Sequence, residues 1–459
     1  AGAAWHKNSS MKVKVINRNE QDYTRERAQD VQKVARNLDP NLHPFEKAKE
    51  YTRALNAAKL ERVFAKPFLS AFPHDEAVTS LARNPARINS IIAGCANGDV
   101  RLWDIPAKRC LRRLVGHTGP IRGISISPDG NSAVTCSDDC TVRLWKVPYA
   151  PSIVGPVEED DEPVLEFQGK NGFRCCDHHW TKDMFATGGV CVDIWDHDRS
   201  EPISTFSWGS ETVTSVRFNP AESDLFCSTG SDRSIVLYDL RSSTPIRKLI
   251  MQTRTNAIAW NPMEAFNFTT ASEDCNLYSY DMRKLDSSTN VHKDFVSAVM
   301  DVDYSPTGRE FVAGSYDRTV RIFSYNGGHS REIYHTKRMQ RVLATRFSGD
   351  GSYVFSGSDD MNMRVWKAEA SEQLGVLLPR ERQKSAYNKA LVNRYKHLPE
   401  VKRIVRHRHL PTPIYKAAKV RRTHTESERQ KTKNRIKHSA PGAVVVKPAR
   451  KKKIVAQQE

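Results

Sequence analysis

A short pattern recurs seven times along this chain at nearly constant spacing, and it limits the possible folds more than any other feature. Each copy has a polar turn followed by alternating apolar residues that end on an aromatic residue, as in NGDVRLWD and SDRSIVLYD. The intervals between successive closing aromatics are 42, 50, 43, 42, 43 and 43 residues. This period is typical of four-stranded blades, so the sequence predicts an all-β, seven-bladed β-propeller. The closing aromatics are Trp103, Trp145, Trp195, Tyr238, Tyr280, Phe323 and Trp366.

An aspartate stands six residues before the closing aromatic in five of the seven copies. Aspartate accepts hydrogen bonds from backbone N–H groups in turns, so we expect it to fix the turn of each blade. The first copy has Asn97 at this position and the third has Gly189, which predicts less tightly held turns in those two blades. The predicted structural aspartates are Asp139, Asp232, Asp274, Asp317 and Asp360.

A closed ring needs a link between its first and last blades. The segment FLSAF, residues 68–72, precedes the first copy and is predicted to be the outer strand of the last blade. With its repeats, this arrangement resembles the WD-repeat family, in which blades are closed in that way.

Two arms flank the predicted propeller, which spans residues 67–369. Residues 11–66 are predicted to form a helical arm and residues 370–459 a basic, helical extension. Residues 1–10, upstream of Met11, are interpreted as a cloning scar or an upstream-initiated extension. The helix of the arm is expected to pack on the propeller, with a partner groove as the alternative. Its apolar stripe consists of Phe45, Ala48, Tyr51, Leu55 and Ala58.

The net charge of +18 is confined to the tail. Residues 370–459 hold 24 Lys/Arg and 6 Asp/Glu, whereas the preceding 369 residues hold 47 of each sign. This asymmetry indicates a nucleic-acid or other polyanionic partner. The predicted RNA contacts are Arg421, Arg422, Arg429, Lys431, Lys433, Arg435, Lys437, Arg450, Lys451, Lys452 and Lys453.

Most of these cations lie in two short segments of the tail. Thr425 followed by Glu428 is typical of a capping box, which predicts a helix over residues 426–437. Such a helix is polar on all sides and has no core to stabilise it, so we expect it to become ordered against phosphates. The segment KPARKKKIV is a basic cluster suited to nuclear import or phosphate contact.

Several segments could be taken for chemical sites. RCCDHHW, residues 174–180, aligns with a strand, whose alternating side chains do not offer four convergent metal ligands, so no metal site is predicted. His117, Thr135 and Asp139 could suggest a hydrolase triad, but in the WD-repeat family these positions and Trp145 form a structural network. No phosphate loop or dinucleotide motif is present. We therefore expect no catalytic residue, no cofactor, no small-molecule substrate and no enzyme activity.

Three other features bear on partners and compartment. Nine cysteines without regular spacing indicate free thiols in a reducing compartment. No run of eighteen apolar residues exists, so no membrane partner is expected. The acidic segment VEEDDE, residues 157–162, is interpreted as a solvated loop or as a contact for a basic partner or the tail.

The tail motifs RHLPTPIYKA and ESERQKTKNRIKHSAPG, behind a seven-unit ring, resemble the WD-repeat and Sof-domain family. The resemblance covers nearly the whole chain from Met11. It implies a non-enzymatic assembly factor of the nucleolar small-subunit processome, a particle that matures 18S ribosomal RNA. The implied partners are pre-rRNA, small nucleolar RNA and processome proteins, and the implied location is the nucleolus and nucleus.

Two consecutive copies also resemble the W-D-x-R box of propellers that serve as substrate receptors of cullin-RING ubiquitin ligases. They read Tyr238-Asp239-Leu240-Arg241 and Tyr280-Asp281-Met282-Arg283. The resemblance implies docking to the damage-binding adaptor through Tyr238, Asp239, Arg241, Tyr280, Asp281 and Arg283. The third copy ends on Asp198 instead of Arg. A ligase receptor is therefore the alternative function, and a purely structural role of both boxes remains open.

Overall fold

The strands of the chain form seven blades around a closed ring. This architecture comes from a computed structural model, which describes residues 40–42, 44–147, 158–160, 162–207, 212–242, 244–440 and 442–458. Within these residues the strands make seven sheets of four or five strands each, as the repeat predicts. The expectations for residues 1–10 and for the arm up to residue 39 lie outside the described residues.

The first three blades contain all strands from β2 to β14. In blade 1 they are β2 (Val78–Arg83), β3 (Ser90–Cys95), β4 (Val100–Asp104), β5 (Arg109–Leu114) and β9 (Glu158–Asp160). In blade 2 they are β6 (Ile121–Ile126), β7 (Ser132–Ser137), β8 (Thr141–Lys146) and β10 (Leu165–Gln168). In blade 3 they are β11 (Cys175–His178), β12 (Met184–Gly188), β13 (Val192–Asp196) and β14 (Ser204–Phe206).

The other four blades include the first and last strands of the chain. Blade 4 has β15 (Val213–Phe218), β16 (Leu225–Gly230), β17 (Ser234–Asp239), β18 (Arg247–Met251) and β30 (Ile454–Gln458). Blade 5 has β19 (Thr255–Trp260), β20 (Asn267–Ser272), β21 (Asn276–Asp281) and β22 (Asn290–Lys293). Blade 6 has β23 (Val299–Tyr304), β24 (Glu310–Ser315), β25 (Val320–Ser324) and β26 (Ser330–Tyr334). Blade 7 has β27 (Val342–Phe347), β28 (Tyr353–Ser358), β29 (Asn362–Lys367) and β1 (Phe68–Pro73).

The ring closes as the sequence predicts. β1 pairs antiparallel with β29, with Phe72 opposite Met363. The first strands of neighbouring blades contact one another all the way round, and β27 contacts β2. Apolar side chains fill the spaces between blades, so every blade buries its faces against two neighbours.

Alternation of antiparallel strands places the loops at two rims. Loops after the first and third strands of each blade open at one rim, and loops after the second and fourth strands open at the other. The box rim is the one at which Asp239 and Asp281 end β17 and β21. The turn rim is the opposite one, which holds the turn aspartates such as Asp274.

The turn aspartates act largely as expected. Four of them accept a hydrogen bond from the backbone N–H two residues further on: Asp139, Asp232, Asp274 and Asp317. Asp360 instead accepts from the guanidinium of Arg364, 2.9 Å away. The expectation of a loose first turn is wrong, because Asn97 Oδ1 accepts from the N–H of Asp99 at 3.1 Å. Gly189 has no side chain with which to make this bond.

Two strands that the sequence did not predict extend the outer edges of blades. Residues 158–160 pair in parallel with β5, so the central part of the acidic segment is a strand and not a solvated loop. Residues 157 and 161 lie outside the described residues. At the end of the chain, β30 pairs antiparallel with β18 and adds a fifth strand to blade 4. The tail therefore extends a propeller sheet.

Within the described ranges, one helix precedes the repeats and three follow them. They are α1 (Glu46–Val63), α2 (Pro379–Tyr395), α3 (Pro399–Arg406) and α4 (Thr412–Lys437), with a short 3-10 turn at Pro40–Leu42. α1 packs against α2 and α3, where Ala57, Ala58, Val392 and Val401 form an apolar cluster. The expected partner of the arm helix was the propeller, so this is a correction. Phe45, placed in its apolar stripe, is 70% exposed.

The described chain divides into two compact units, and the division crosses the predicted tail. One unit combines the described part of the arm, up to residue 65, with residues 371–407. The other combines residues 66–370 with residues 408–459. The stretch predicted as one basic extension over 370–459 thus contributes to both units. Val392 of α2 and Val401 of α3 pack against α1, whereas β30 pairs with the outer edge of blade 4.

Candidate nucleic-acid interface and adaptor-docking boxes

Helix α4 is the main carrier of exposed positive charge. It begins at Thr412, after Pro411, and continues to Lys437. Thr425, predicted to cap a shorter helix, lies inside it, and its hydroxyl donates to the carbonyl of Arg421 at 2.9 Å. The predicted capping box is therefore wrong. A threonine hydroxyl inside a helix can bond to the preceding turn, so the local capping signal is satisfied without a helix start.

Arg421 fastens α4 to the turn rim. Its guanidinium donates to the carbonyl of Asp274 at 3.1 Å, to Asn276 Oδ1 at 3.3 Å and to the carbonyl of Phe295. These acceptors belong to the second turn of blade 5 and to the link into blade 6. Arg421 was predicted to contact RNA, but in this structure its donors are directed at the propeller.

The other predicted cations of α4 face solvent. Among residues 422–437 no large apolar residue is buried, and Ile436 is 48% exposed. After Arg421 the helix therefore has no core of its own among the described residues. The exposed cations are Arg422, Arg429, Lys431, Lys433, Arg435 and Lys437.

Like charges from three segments gather beside the docking point. Lys293 ends β22, and burial together with the charges of Arg429, Arg421 and Lys452 lowers its pKa. The carboxylate of Asp274 acts in the opposite direction on the Lys293 ammonium. A bound phosphate would relieve this repulsion, so the cluster is suited to a polyanion.

The basic cluster at the chain end is partly structural. The carbonyls of Arg450 and Lys453 accept hydrogen bonds from backbone N–H groups of the propeller, at 3.1 and 2.9 Å. The Lys453 ammonium lies 3.8 Å from the Asp274 carboxylate. Lys451 and Lys452 are exposed. Of the four predicted RNA contacts in this cluster, the side chains of Arg450, Lys451 and Lys452 are therefore the accessible ones.

The two predicted boxes have the same geometry on neighbouring blades of the box rim. The guanidinium of Arg241 donates to both oxygens of Asp239 at 3.1 Å. That of Arg283 donates to both oxygens of Asp281 at 3.1 and 2.9 Å. The Arg241 and Arg283 side chains are 73% and 63% exposed. Each carboxylate thus holds a guanidinium in a fixed direction while most of it stays accessible.

The two tyrosines of the boxes do not belong to this surface. Tyr238 and Tyr280 are 3% and 0% exposed. Tyr238 stacks on Phe226 with ring centroids 4.7 Å apart, and the Tyr280 hydroxyl lies 3.1 Å from Met251 Sδ. Their prediction as adaptor contacts is corrected, because the closing aromatic of each blade is needed in the space between blades. The accessible part of each box is its Asp–Arg pair.

The possible hydrolase triad is a closed structural network. His117 Nδ1 lies 2.9 Å from Asp139, and His117 Nε2 lies 2.8 Å from the Thr135 hydroxyl, which also accepts from Trp145 at 2.9 Å. Burial lowers the pKa of His117. Although burial opposes it, bonds from Thr141 and His117 bring the pKa of Asp139 down to about 2. The Thr135 hydroxyl is thus engaged by both His117 and Trp145. The network connects strands β7 and β8 to the turn that holds Asp139.

The structure brings together one group that sequence reasoning did not. β11 confirms that residues 175–178 form a strand. His178, from the segment in which no metal site was predicted, meets Asp183 and His197, whose ligand atoms all lie within 4.8 Å of one another. No local spacing indicates this cluster, because its members come from three separate segments of blade 3.

Comparisons with known proteins agree with this architecture. A profile described as "Sof1-like domain" matches residues 368–454, and one described as "WD domain, G-beta repeat" matches five segments. A Xenopus laevis protein named "DDB1- and CUL4-associated factor 13" is 50% identical over 98% of this chain and 100% of its own. The Homo sapiens protein of that name is 49% identical over 97% and 99%. "Protein SOF1" of Saccharomyces cerevisiae is 45% identical over 92% and 91%.

The chain belongs to the Sof1-like family of WD40-repeat proteins. The match to the Sof1-like profile covers α2, α3, α4 and the approach to β30, so the part that distinguishes this family from a bare propeller is the part that carries the excess charge. The WD40 segments cover 66–104, 108–146, 200–239, 285–324 and 329–367. These segments do not include the first three strands of blades 3 and 5, two blades that the repeat pattern predicts and the structure contains, and blade 3 is also the one with Gly189 at its turn.

Proposed function

We propose that this protein is a non-enzymatic scaffold of the small-subunit processome, which it serves in the processing of 18S rRNA. Pre-rRNA, small nucleolar RNA and processome proteins are its proposed partners, and the nucleolus is its proposed location. The observation that carries the proposal is helix α4, which is fixed to a rigid ring at Arg421 and presents six cations to solvent beyond that point. Its kinship with the yeast protein named SOF1 supports the same assignment.

The geometry favours phosphate contact over sequence-specific reading. Cations on an exposed helix neutralise phosphates and release counterions, which gives affinity without base readout. The repulsion between Lys293 and the cations around it is a second reason to expect that an anion binds here. The ring supplies a rigid body, and its buried polar networks, such as that of His117, have structural partners at each position.

The test is RNA affinity as a function of salt concentration. Changing Arg429, Lys431, Lys433, Arg435 and Lys437 to Gln removes five exposed cations. For a mostly single-stranded RNA each lost phosphate contact should flatten the log–log salt slope by about 0.7, so the five together by about 3.5. The matched control changes the exposed cations of α1 to Gln and should leave the slope nearly unchanged: Lys47, Lys49, Arg53 and Lys59. Equal slopes for the wild type and the α4 variant would contradict the proposal.

A second function is favoured by the paired boxes. Several relatives are named as associated with DDB1 and CUL4, and the Asp239–Arg241 and Asp281–Arg283 pairs are exposed in the same geometry on adjacent blades. We propose that these pairs dock the adaptor, DDB1. The boxes lie on the box rim and Arg421 binds the turn rim, so RNA binding by α4 and adaptor docking do not compete for one surface.

The adaptor proposal is tested separately from the RNA proposal. Arg241→Ala with Arg283→Ala removes two exposed guanidiniums, so the free energy of unfolding should change by at most about 0.5 kcal/mol for each. Binding to purified DDB1 should fall at least tenfold, whereas a variant with Lys337→Ala and Arg338→Ala in an exposed loop of the turn rim should bind like the wild type. Unchanged binding by the folded double variant would exclude docking through these boxes.

A further inference from the structure

A cluster of two histidines and one carboxylate lies on the box rim of blade 3. His178 ends β11, Asp183 lies in the following turn, and His197 follows β13. The Nε2 atoms of His178 and His197 are 3.1 Å apart, and a carboxylate oxygen of Asp183 lies within 4.8 Å of both. His178 is buried, His197 half-buried and Asp183 exposed. The cluster therefore opens to solvent on one side.

The separation of the imidazoles fits a shared ion. Two nitrogens bound to one tetrahedral zinc ion at about 2.0–2.1 Å are about 3.3 Å apart. The observed separation of 3.1 Å requires a shift of only a few tenths of an ångström. The rings meet edge to face, at 71° and with centroids 5.1 Å apart, so they do not stack on each other.

Backbone and side-chain bonds prepare both histidines for this role. His178 Nδ1 lies 2.7 Å from the carbonyl of His179, to which it donates, so Nε2 keeps its lone pair. The backbone N–H of His197 donates to the backbone carbonyl of Asp183 at 3.3 Å, which holds these two residues next to each other.

The turn that carries Asp183 is also held in place. His179 Nδ1 accepts from the N–H groups of Thr181 and Lys182, at 3.1 and 3.0 Å. His197 lies between Asp196 and Asp198 in the chain, so further carboxylates adjoin the cluster. A cation at the centre of the cluster would be favoured by these carboxylates.

We propose that His178, Asp183 and His197 bind one divalent transition-metal ion of the zinc class. Two imidazole nitrogens and one carboxylate oxygen suit zinc, whereas magnesium and calcium prefer sites built from oxygen alone. Three protein ligands leave a fourth position for water. The ion joins three segments of blade 3, the blade whose turn has Gly189 in place of an aspartate, and it does so next to the box of blade 4.

The test measures Zn²⁺ binding to the full chain after removal of all metal by a chelator. Competition with a chromophoric chelator should give one site, and Asp183→Asn or His197→Gln should weaken it at least tenfold. The matched control is His409→Gln. His409 Nδ1 lies 3.4 Å from His335 Nε2, but in the described part of the chain this second pair belongs to no such three-ligand cluster. The control should bind Zn²⁺ like the wild type.

Co²⁺ in place of Zn²⁺ identifies the ligands. Nitrogen and oxygen ligands give d–d absorption alone, whereas binding through any of the nine free cysteines adds thiolate charge-transfer absorption. The expected spectrum is the first, and it should be lost in Asp183→Asn, an exposed substitution that keeps the size of the side chain. Thiolate absorption, no binding, or equal affinities for the wild type and both variants would each overturn the proposal.

Discussion

His74 connects the closing strand of the ring to blade 1. It follows β1 directly, and its Nε2 accepts from the indole N–H of Trp103 at 3.0 Å. Its Nδ1 lies 3.1 Å from the carbonyl of Phe72 and donates to it. The buried ring is therefore neutral, and a second proton on Nε2 would remove the acceptor that Trp103 uses. This makes the closure of the ring sensitive to acid.

The size of the effect follows from the pKa of His74. Burial, together with the charge of Arg101, lowers this pKa from 6.5 to about 4. The unfolded chain thus takes up the proton first as the pH falls. The contribution of His74 to stability is complete above about pH 6.5 and is lost as the pH falls towards 4. Each pH unit in this window costs about 1.4 kcal/mol, so the whole window amounts to about 3 kcal/mol.

The assay compares wild type with His74→Gln in the full chain. Free energies of unfolding from urea titrations between about pH 7 and about pH 4.5 should fall less steeply for the variant, by at most about 1.4 kcal/mol per pH unit. His292, whose pKa burial also lowers to about 4, is present in both proteins and cancels in the difference. His424→Gln, at an exposed position of α4, is the control and should follow wild type. Parallel curves for wild type and His74→Gln would refute the reasoning.

Three further outcomes are expected. Phe72→Ala should lower the free energy of unfolding by about 3–5 kcal/mol in denaturant titrations, because the buried Phe72 ring packs against Trp103 with centroids 5.0 Å apart. Arg421→Ala should reduce amide hydrogen-exchange protection across α4, because it removes the hydrogen bonds that attach this helix to the turn rim and leaves their carbonyl acceptors unpaired. The exposed Arg422→Ala should not. Cys175 should resist alkylation until the chain unfolds, because burial raises the pKa of its thiol well above the usual range.

The boxes show how much of a binding site can be predicted from local sequence. Their aspartates and arginines were placed correctly on one rim of adjacent blades, because the third strand of every blade ends at the same rim. Tyr238 and Tyr280 were misassigned, since the motif does not say which of its side chains the neighbouring blade covers. Accessibility is decided by packing between blades, which involves residues some 40 positions apart.

For the tail, the sequence predicts the general character but not the contacts. Its charge and helical character could be predicted from composition and periodicity, but its attachment could not. Arg421 was grouped with the RNA contacts because all arginines of a basic run look alike in sequence. Only the fold reveals that carbonyls from blades 5 and 6 surround that one guanidinium. The same is true of residues 454–458, whose strand forms because β18 offers an unpaired edge.

The sequence by itself determined the number of blades, the closing strand and the turn aspartates, because alternation, turn chemistry and a fixed period are properties of short segments. The tertiary structure alone decided the contacts between segments distant in the chain. These are the docking of Arg421, the packing of α1 on the tail helices and the meeting of His178 with Asp183 and His197. The physical reason is the same in each case: hydrogen bonds, ion contacts and apolar packing depend on distances in space, which a periodic pattern sets for neighbours in the chain and leaves open for distant residues.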